Sequence, residues 1–219
     1  MVVRALLIFP FLLLSDGTTN FVHRLRLTCV LIGFLVNRQP VVGVIYDPMA
    51  GEMFYAVQGQ GAWLQQQQPN DDDDDVKNIP AQRLHVSSTT EIPQAVVAMD
   101  AGYGRHEAAV DNYLRMQRAI LLQRVRHVRV LGCCGLTMAY VAAGRLDAAL
   151  EQGSWSQNTG PKIWDFSAGK LLVQEAGGVT RDLTSPDTQK EPLNLLERSL
   201  FCAATDELAN KLMETVHSS

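Results

Sequence analysis

Between residues 27 and 64, apolar, β-branched and aromatic segments follow one another too closely for helices to intervene, and this spacing commits that part of the chain to antiparallel strands. Residues 27–36 (LTCVLIGFLV) and 41–46 (VVGVIY) are separated only by Asn37-Arg38-Gln39-Pro40, a hairpin signature, because a parallel pair needs a crossover of a dozen or more residues. Asp47-Pro48 with Gly51 makes a second turn into residues 52–57 (EMFYAV), and Gly59-Gln60-Gly61 leads to another short strand at Ala62-Trp63. The first half of the chain is therefore expected to be mainly antiparallel sheet.

The second half reads differently. Residues 107–122 carry helical spacing through Ala108, Val110, Leu114 and Ile120. Helices are also expected over 133–143, stopping at Gly144, over 167–176, halted by Gly177-Gly178, and over 206–216. Strand-like segments lie at 84–86, 95–99, 125–131, 146–150 and from Val179 onward. Strands alternating with helices imply layered sheets with helices between and outside them, an α/β architecture. The glutamines at 65–68 and the five aspartates at 71–75 cannot bury apolar surface, so a solvated loop is expected over about 65–80. Contiguous aspartates cannot all turn toward one ion as alternating ligands do, which argues against a calcium loop.

The 219 residues are enough for one substantial core. With 19 Lys and Arg scattered against 23 Asp and Glu, and a net charge of −4, there is no clustered basic surface for nucleic acid. A small anionic ligand remains compatible if a metal supplies positive charge. The apolar opening, MVVRALLIFPFLLL, is shorter than the ~20 residues that span a bilayer and is followed by no small-residue cleavage site, so neither a membrane partner nor a secretory signal is expected. Cys29, Cys133, Cys134 and Cys202 have no CxxC spacing and two are adjacent, a pattern that suits neither a disulfide framework nor a zinc site; a reducing cytoplasm is the expected compartment.

Three separated segments carry chemistry. In Asp16-Gly17-Thr18-Thr19-Asn20-Phe21-Val22-His23, a carboxylate closes an apolar run and is followed by free amides and hydroxyls at a turn, an arrangement suited to a phosphate and Mg²⁺ together. Alone, Asp-Gly-Thr is more often a plain turn. The others are 132–151, opening at Gly132-Cys133-Cys134 and closing at Glu151, and Trp164-Asp165-Phe166-Ser167-Ala168-Gly169 running on to Glu175-Ala176-Gly177-Gly178. Together, and in this order, they resemble the signature segments of the inositol monophosphatase family, the lithium-sensitive, magnesium-dependent phosphatases. Supporting matches are residues 40–48 (PVVGVIYDP) and 59–62 (GQGA).

That resemblance implies a layered αβαβα sandwich of the inositol monophosphatase and fructose bisphosphatase type, a 16–219 domain preceded by a 1–15 apolar segment outside it, and a homodimer. It implies a phosphomonoesterase acting on myo-inositol monophosphate or a similar polyol phosphate, using water activated by Mg²⁺. On motif position, Asp16, Asp165 and the Ser15 carbonyl are the metal ligands, and Thr18 with Asp16 is catalytic. Gly17, Thr18, Gly132, Cys133, Cys134, Glu151 and Asp165 are the expected substrate contacts. Trp164 is expected as a core anchor, His23 as a structural polar residue, and the paired cysteines as buried packing.

The chain also departs from the family pattern. Leu13 and Leu14 stand where Asp-Pro begins the family's Asp-Pro-x-Asp-Gly-Thr, and nothing before Asp16 matches the N-terminal helices and hairpin that carry a Gly-Glu-Glu ligand. The expectation is an N-terminally truncated or mis-started member, with residues 6–14 supplying the strand that precedes the motif. The alternative function is a catalytically silent relative serving as a binding or dimerisation module. A nucleotide 3′-phosphate or fructose bisphosphate substrate is a third reading, which Glu151 disfavours.

Overall fold

A computed structural model describes residues 9–69, 76–154, 157–184 and 198–218. The apolar run ahead of the first motif forms β1 (Phe9–Asp16), which pairs antiparallel with β2 (Cys29–Val36) through Ser15 opposite Val30 and Asp16 opposite Cys29. A strand thus runs unbroken across the boundary expected between residues 15 and 16. The short helix α1 (Thr18–Val22) fills the connection. Two residues, Asn37 and Arg38, join β2 to β3 (Gln39–Asp47), both at positive φ (51° and 63°), as the type I′ hairpin turn requires. The meander continues through β4 (Glu52–Val57), β5 (Ala62–Pro69) and β6 (Val76–Asn78), with β7 (Gln82–Arg83) also pairing with β5.

The expected loop at 65–68 is corrected: Gln65 to Gln68 extend β5. The β4 ladder pairs the backbone of Gln65 and Gln66 and the β6 ladder that of Gln67 and Gln68, and Gln66 donates to Glu52 while Tyr46 donates to Gln67. Backbone pairing outweighs a composition that has nothing to bury. The aspartates at 71–75 lie outside the described residues.

The second sheet is built from β8 (Val96–Asp100), β9 (His127–Arg129), β10 (Ala148–Glu151), β11 (Val179–Arg181) and β12 (Leu200–Ala203), in the order β11-β12-β10-β8-β9. Its central pair, β8 and β10, is parallel. Two helices, α3 (Cys134–Ala142) and α4 (Ile163–Glu175), separate the two sheets; α2 (Glu107–Leu122) and α5 (Asp206–His217) cover the far face of the second. The layers therefore run sheet, helix pair, sheet, helix pair. The strand expected at 84–86 is replaced by single hydrogen bonds from Leu84 to Ala62 and from Val86 to Ala176.

Packing against two layers explains the composition of α3 and α4, which are buried nearly all round. The backbone of α4 sits unusually near the first sheet. Gly33 and Gly43 face each other across β2 and β3, and a Cβ on Gly43 would come within 2.9 Å of the Ala168 backbone, one on Gly33 within 2.6 Å of Ser167 Oγ.

The halves are also stitched by charge. Arg145 donates to both Glu52 carboxylate oxygens at 2.6 and 2.7 Å and lies over the Phe54 and Tyr140 rings. Arg145 holds the Glu52 carboxyl below the usual carboxylate range, against the opposing effect of its burial. Because a depressed folded value stabilises above the unfolded one and is lost on acidification, Arg145→Ala should cost about 2 kcal/mol near neutral pH. Urea titrations should show that deficit shrinking as the pH falls through the Glu52 titration.

The first sheet is apolar on both faces. Leu31, Ile45 and Phe54 point into the core, while Val30, Ile32, Val36, Val44 and Tyr55 on the opposite face stay partly exposed. A contiguous apolar face drives association. The 219-residue chain expressed alone is expected to bind an environment-sensitive hydrophobic dye and to give low soluble yield; a monodisperse preparation that excludes the dye and melts cooperatively would contradict this.

Candidate active site

Asp16 closes β1, and its carboxylate is held rather than free. Gly17 N–H donates to Oδ1 at 2.6 Å, Gly135 N–H to Oδ2 at 2.8 Å, and the Cys133 thiol to Oδ2 at 3.4 Å. Gly17 has φ 76° and packs against Leu27 and Thr28, so a side chain there would be both strained and crowded. This turn sends the chain into α1, leaving the Thr18 side chain exposed beside Asp16. Asn20, buried on α1, donates to the carbonyls of Leu27 and Leu131 at 2.9 and 2.8 Å and so ties the first motif to the Gly132 turn.

At the other wall, Glu151 ends β10 directly beside Asp100 at the end of parallel β8. Ligands of such sheets gather outside the carboxyl ends of strands. Gly132, at φ 65°, donates its N–H to Asp100 Oδ2 at 3.3 Å. Asp165 lies in the first turn of α4, which starts at Ile163, earlier than the expected 167, because Asp165 itself closes the turn: Lys162 N–H donates to its Oδ2 at 2.8 Å. All these groups open on one cleft of about 440 Å³, with Ser15, Thr18, Gly132, Cys133 and Cys134 along its walls.

Sequence reasoning thus selected residues that the fold brings together: Ser15, Asp16, Thr18, Gly132, Cys133, Cys134, Glu151 and Asp165 all line the cleft, with Gly17 buried beneath them. The two cysteines are buried, so what that turn presents to the cleft is mainly backbone. Trp164 is corrected: it forms a half-buried cleft wall, with the Lys162 ammonium 5.3 Å from its ring centroid, instead of anchoring the core. Asp100 was missed, although VVAMD-Ala-Gly repeats the pattern of LLLSD-Gly: an apolar strand ended by Asp before small residues. Lys162 and Asn20 carried no comparable sequence signal.

The cleft concentrates negative charge. Glu151 is pushed up to about 8, chiefly by burial and then by the charges of Asp100, Asp16 and Asp165. Asp165 rises to about 6, again through burial first, with Asp16 adding to it. Asp100 is raised by burial, its hydrogen bonds to backbone opposing. The Cys133 thiol is pushed far up by its hydrogen bond with Cys29, by burial and by Asp16. Hard carboxylate oxygens that raise one another's proton affinity fit a hard divalent cation, which would replace those protons.

Comparison with known proteins matches residues 16–219 to the model of the inositol monophosphatase family. The chain belongs to the inositol monophosphatase family. It is 39% identical over 168 residues to tomato (Solanum lycopersicum) "Inositol monophosphatase 2", covering 76% of this chain and 55% of that protein. It is 30% identical over 201 residues to human "Inositol monophosphatase 1", covering 92% and 63%. Among solved structures it superposes on the inositol monophosphatase of Anabaena sp. PCC 7120 with a TM-score of 0.76 and 27% identity, over 95% of this chain and 74% of that one. It superposes on the Bartonella henselae extragenic suppressor protein suhB with a TM-score of 0.73 and 29% identity, over 92% and 67%. The chain therefore spans between about half and two-thirds of the length of these curated relatives. Among the described residues no helix is long and apolar enough to cross a membrane.

Burial of Glu151 has a consequence for stability. With a folded value of about 8 against roughly 4.3 when unfolded, the folded protein retains a proton that the unfolded chain has lost, so stability falls as pH rises through this window. In the absence of divalent metal, Glu151→Gln should raise the melting midpoint near pH 8 and change it little at about pH 5, where the wild-type side chain is already neutral when folded. Calorimetric scans in chelator check both arms; an equal shift at the two pH values would contradict the burial account.

Proposed function

We propose that this chain is a phosphomonoesterase that hydrolyses myo-inositol monophosphate or a similar polyol phosphate. The observation that carries the reading is the convergence of Asp16, Asp100, Glu151 and Asp165 from three strand ends and one helix start onto a single cleft. Asp16 and Asp165, with the Ser15 carbonyl, are the ligands for Mg²⁺, and Asp100 adds an oxygen donor. Bound there, the cation supplies a water of lowered pKa and neutralises charge on the phosphoryl oxygens.

The protein's own groups orient the reactants. The Gly17 and Gly135 amides fix the Asp16 carboxylate, which sets where phosphate can approach. The exposed Thr18 hydroxyl, two residues on, hydrogen-bonds the attacking water. Glu151 accepts from a hydroxyl of the polyol ring, and the Gly132 turn offers backbone to the same ring. Trp164 and Lys162 close one wall against bulk solvent. The family likeness extends this reading to a homodimer in the cytoplasm.

One observation favours the silent-relative reading: both Asp16 oxygens already accept protein hydrogen bonds, and the β1 position of the family's first aspartate is Leu13. Phosphate release from inositol 1-phosphate, followed colorimetrically with and without Mg²⁺, separates the two. Activity is expected only with Mg²⁺ and is expected to fall at least about a hundredfold in Asp165→Asn. Activity unchanged in that variant removes the metal role, and a folded chain that binds no Mg²⁺ by calorimetry establishes the silent relative.

A further inference from the structure

Cys29 and Cys133 are far apart in sequence, yet their sulfurs lie 3.6 Å apart, both buried, with Cys133 bordering the cleft and Cys29 behind it. The Cys133 sulfur is 3.4 Å from Asp16 Oδ2, and one ligand atom from each of Asp16, Cys29 and Cys133 lies within 4.8 Å of the other two. From this geometry we infer a second metal site, one that takes a thiophilic divalent cation such as Zn²⁺ on two thiolates and the Asp16 carboxylate.

The separations decide for a metal over a disulfide. Zn–S bonds of about 2.3 Å and Zn–O bonds of about 2.0–2.2 Å at tetrahedral angles place sulfurs ~3.8 Å apart and sulfur ~3.5 Å from oxygen. The observed 3.6 and 3.4 Å already match those edges. A disulfide needs the sulfurs at about 2.05 Å, well inside the 3.6 Å observed, so the two thiols would have to move together. A Cβ at Gly135 would lie 2.6 Å from Leu31 and 2.9 Å from the Cys29 sulfur, which shows how closely that sulfur is already packed.

The surroundings also suit a soft cation. Asp16 and Cys133 border the cleft, so the Asp16 side is the one from which a cation could reach the buried sulfurs. The Gly17 and Gly135 amides hold the Asp16 carboxylate in place, the supporting role that neighbours of metal ligands commonly play. On binding, each thiol gives its proton to solvent and its sulfur lone pair to the cation, while Asp16 contributes a carboxylate oxygen. Zn²⁺ here and a hard cation in the cleft draw on the same Asp16 carboxylate, so Zn²⁺ is expected to lower the activity of the phosphatase proposed above; that last consequence alone rests on the phosphatase reading.

The test uses the full chain with Zn²⁺ or Co²⁺ as the only divalent ion. One equivalent of Zn²⁺ is expected by calorimetry, and Co²⁺ is expected to give an intense sulfur-to-metal charge-transfer band. Cys29→Ala and Cys133→Ala should each abolish the band and weaken Zn²⁺ binding by at least about tenfold, with melting curves in chelator confirming that the variants fold. Cobalt that binds without the charge-transfer band overturns the site even if neither variant folds, as does Zn²⁺ affinity unchanged in folded Cys29→Ala. Binding with the band but no effect on phosphate release leaves the site standing and refutes only the inhibition.

Discussion

The seat of α4 on the paired glycines of β2 and β3 determines most of what lies around it. Gly33 and Gly43 are opposite each other in the ladder, and with no Cβ on either, Ser167 and Ala168 rest against sheet backbone. On its other side α4 meets α3, where a Cβ on Gly169 would come 2.6 Å from Met138. A helix clamped this closely can neither slide nor rotate without opening voids, and close-packed interiors tolerate few of those. Its first turn is therefore fixed relative to the first sheet, and Asp165 with it. The same layer carries α3, whose first turn sets Gly135 against Leu31 and Cys29 and brings its amide to Asp16. Two carboxylates 149 positions apart are thus positioned by glycine contacts of one helix layer on the first sheet.

Their partners come from the second sheet by a different route. β8 and β10 run parallel and end together, so Asp100 and Glu151 are neighbours by register alone. Mutual repulsion among four acidic groups opposes folding, and burial adds to it, as the elevated values of Glu151 and Asp165 record. A core built only for stability would not concentrate charge in this way. The Arg145–Glu52 pair shows the contrasting case, in which a buried carboxylate is answered by a guanidinium and its value falls.

How much of this was legible in the sequence follows from the range of each interaction. The meander was readable because turns and alternation are local, although the link expected over residues 37–40 is the two-residue turn Asn37-Arg38, both at positive φ. The extent of α2 was readable from helical spacing, but not its buried face: Val110 and Leu114 are exposed, and Met116, Ala119 and Ile120 are the buried residues. The start of α4 was misplaced because a helix buried all round has no stripe, and because its opening turn is closed by the side chain of Asp165, a group singled out for chemistry instead. Gln65 to Gln68 were misread because composition describes what side chains can bury and says nothing of a ladder partner. Trp164 was misread because an aromatic residue beside a motif is equally suited to a core or to a wall.

The least legible feature is the nearness of Cys29 and Cys133, since nothing local marks two cysteines 104 positions apart as neighbours. Their nearness also bears on Asp16. A carboxylate meant only to pin the α3 turn would be satisfied by the Gly17 and Gly135 amides; the thiol adds a weak third donor to an oxygen that already has one. An oxygen with that many claims on it, at the edge of a cleft whose acidic groups all gain from a cation, is where hard and soft metals would compete. Oxygen donors from Asp100 and Asp165 favour the hard ion, and the two sulfurs favour the soft one. On the phosphatase reading proposed above, the relative affinity of the hard and the soft ion for Asp16 would decide whether the cleft is active or held silent.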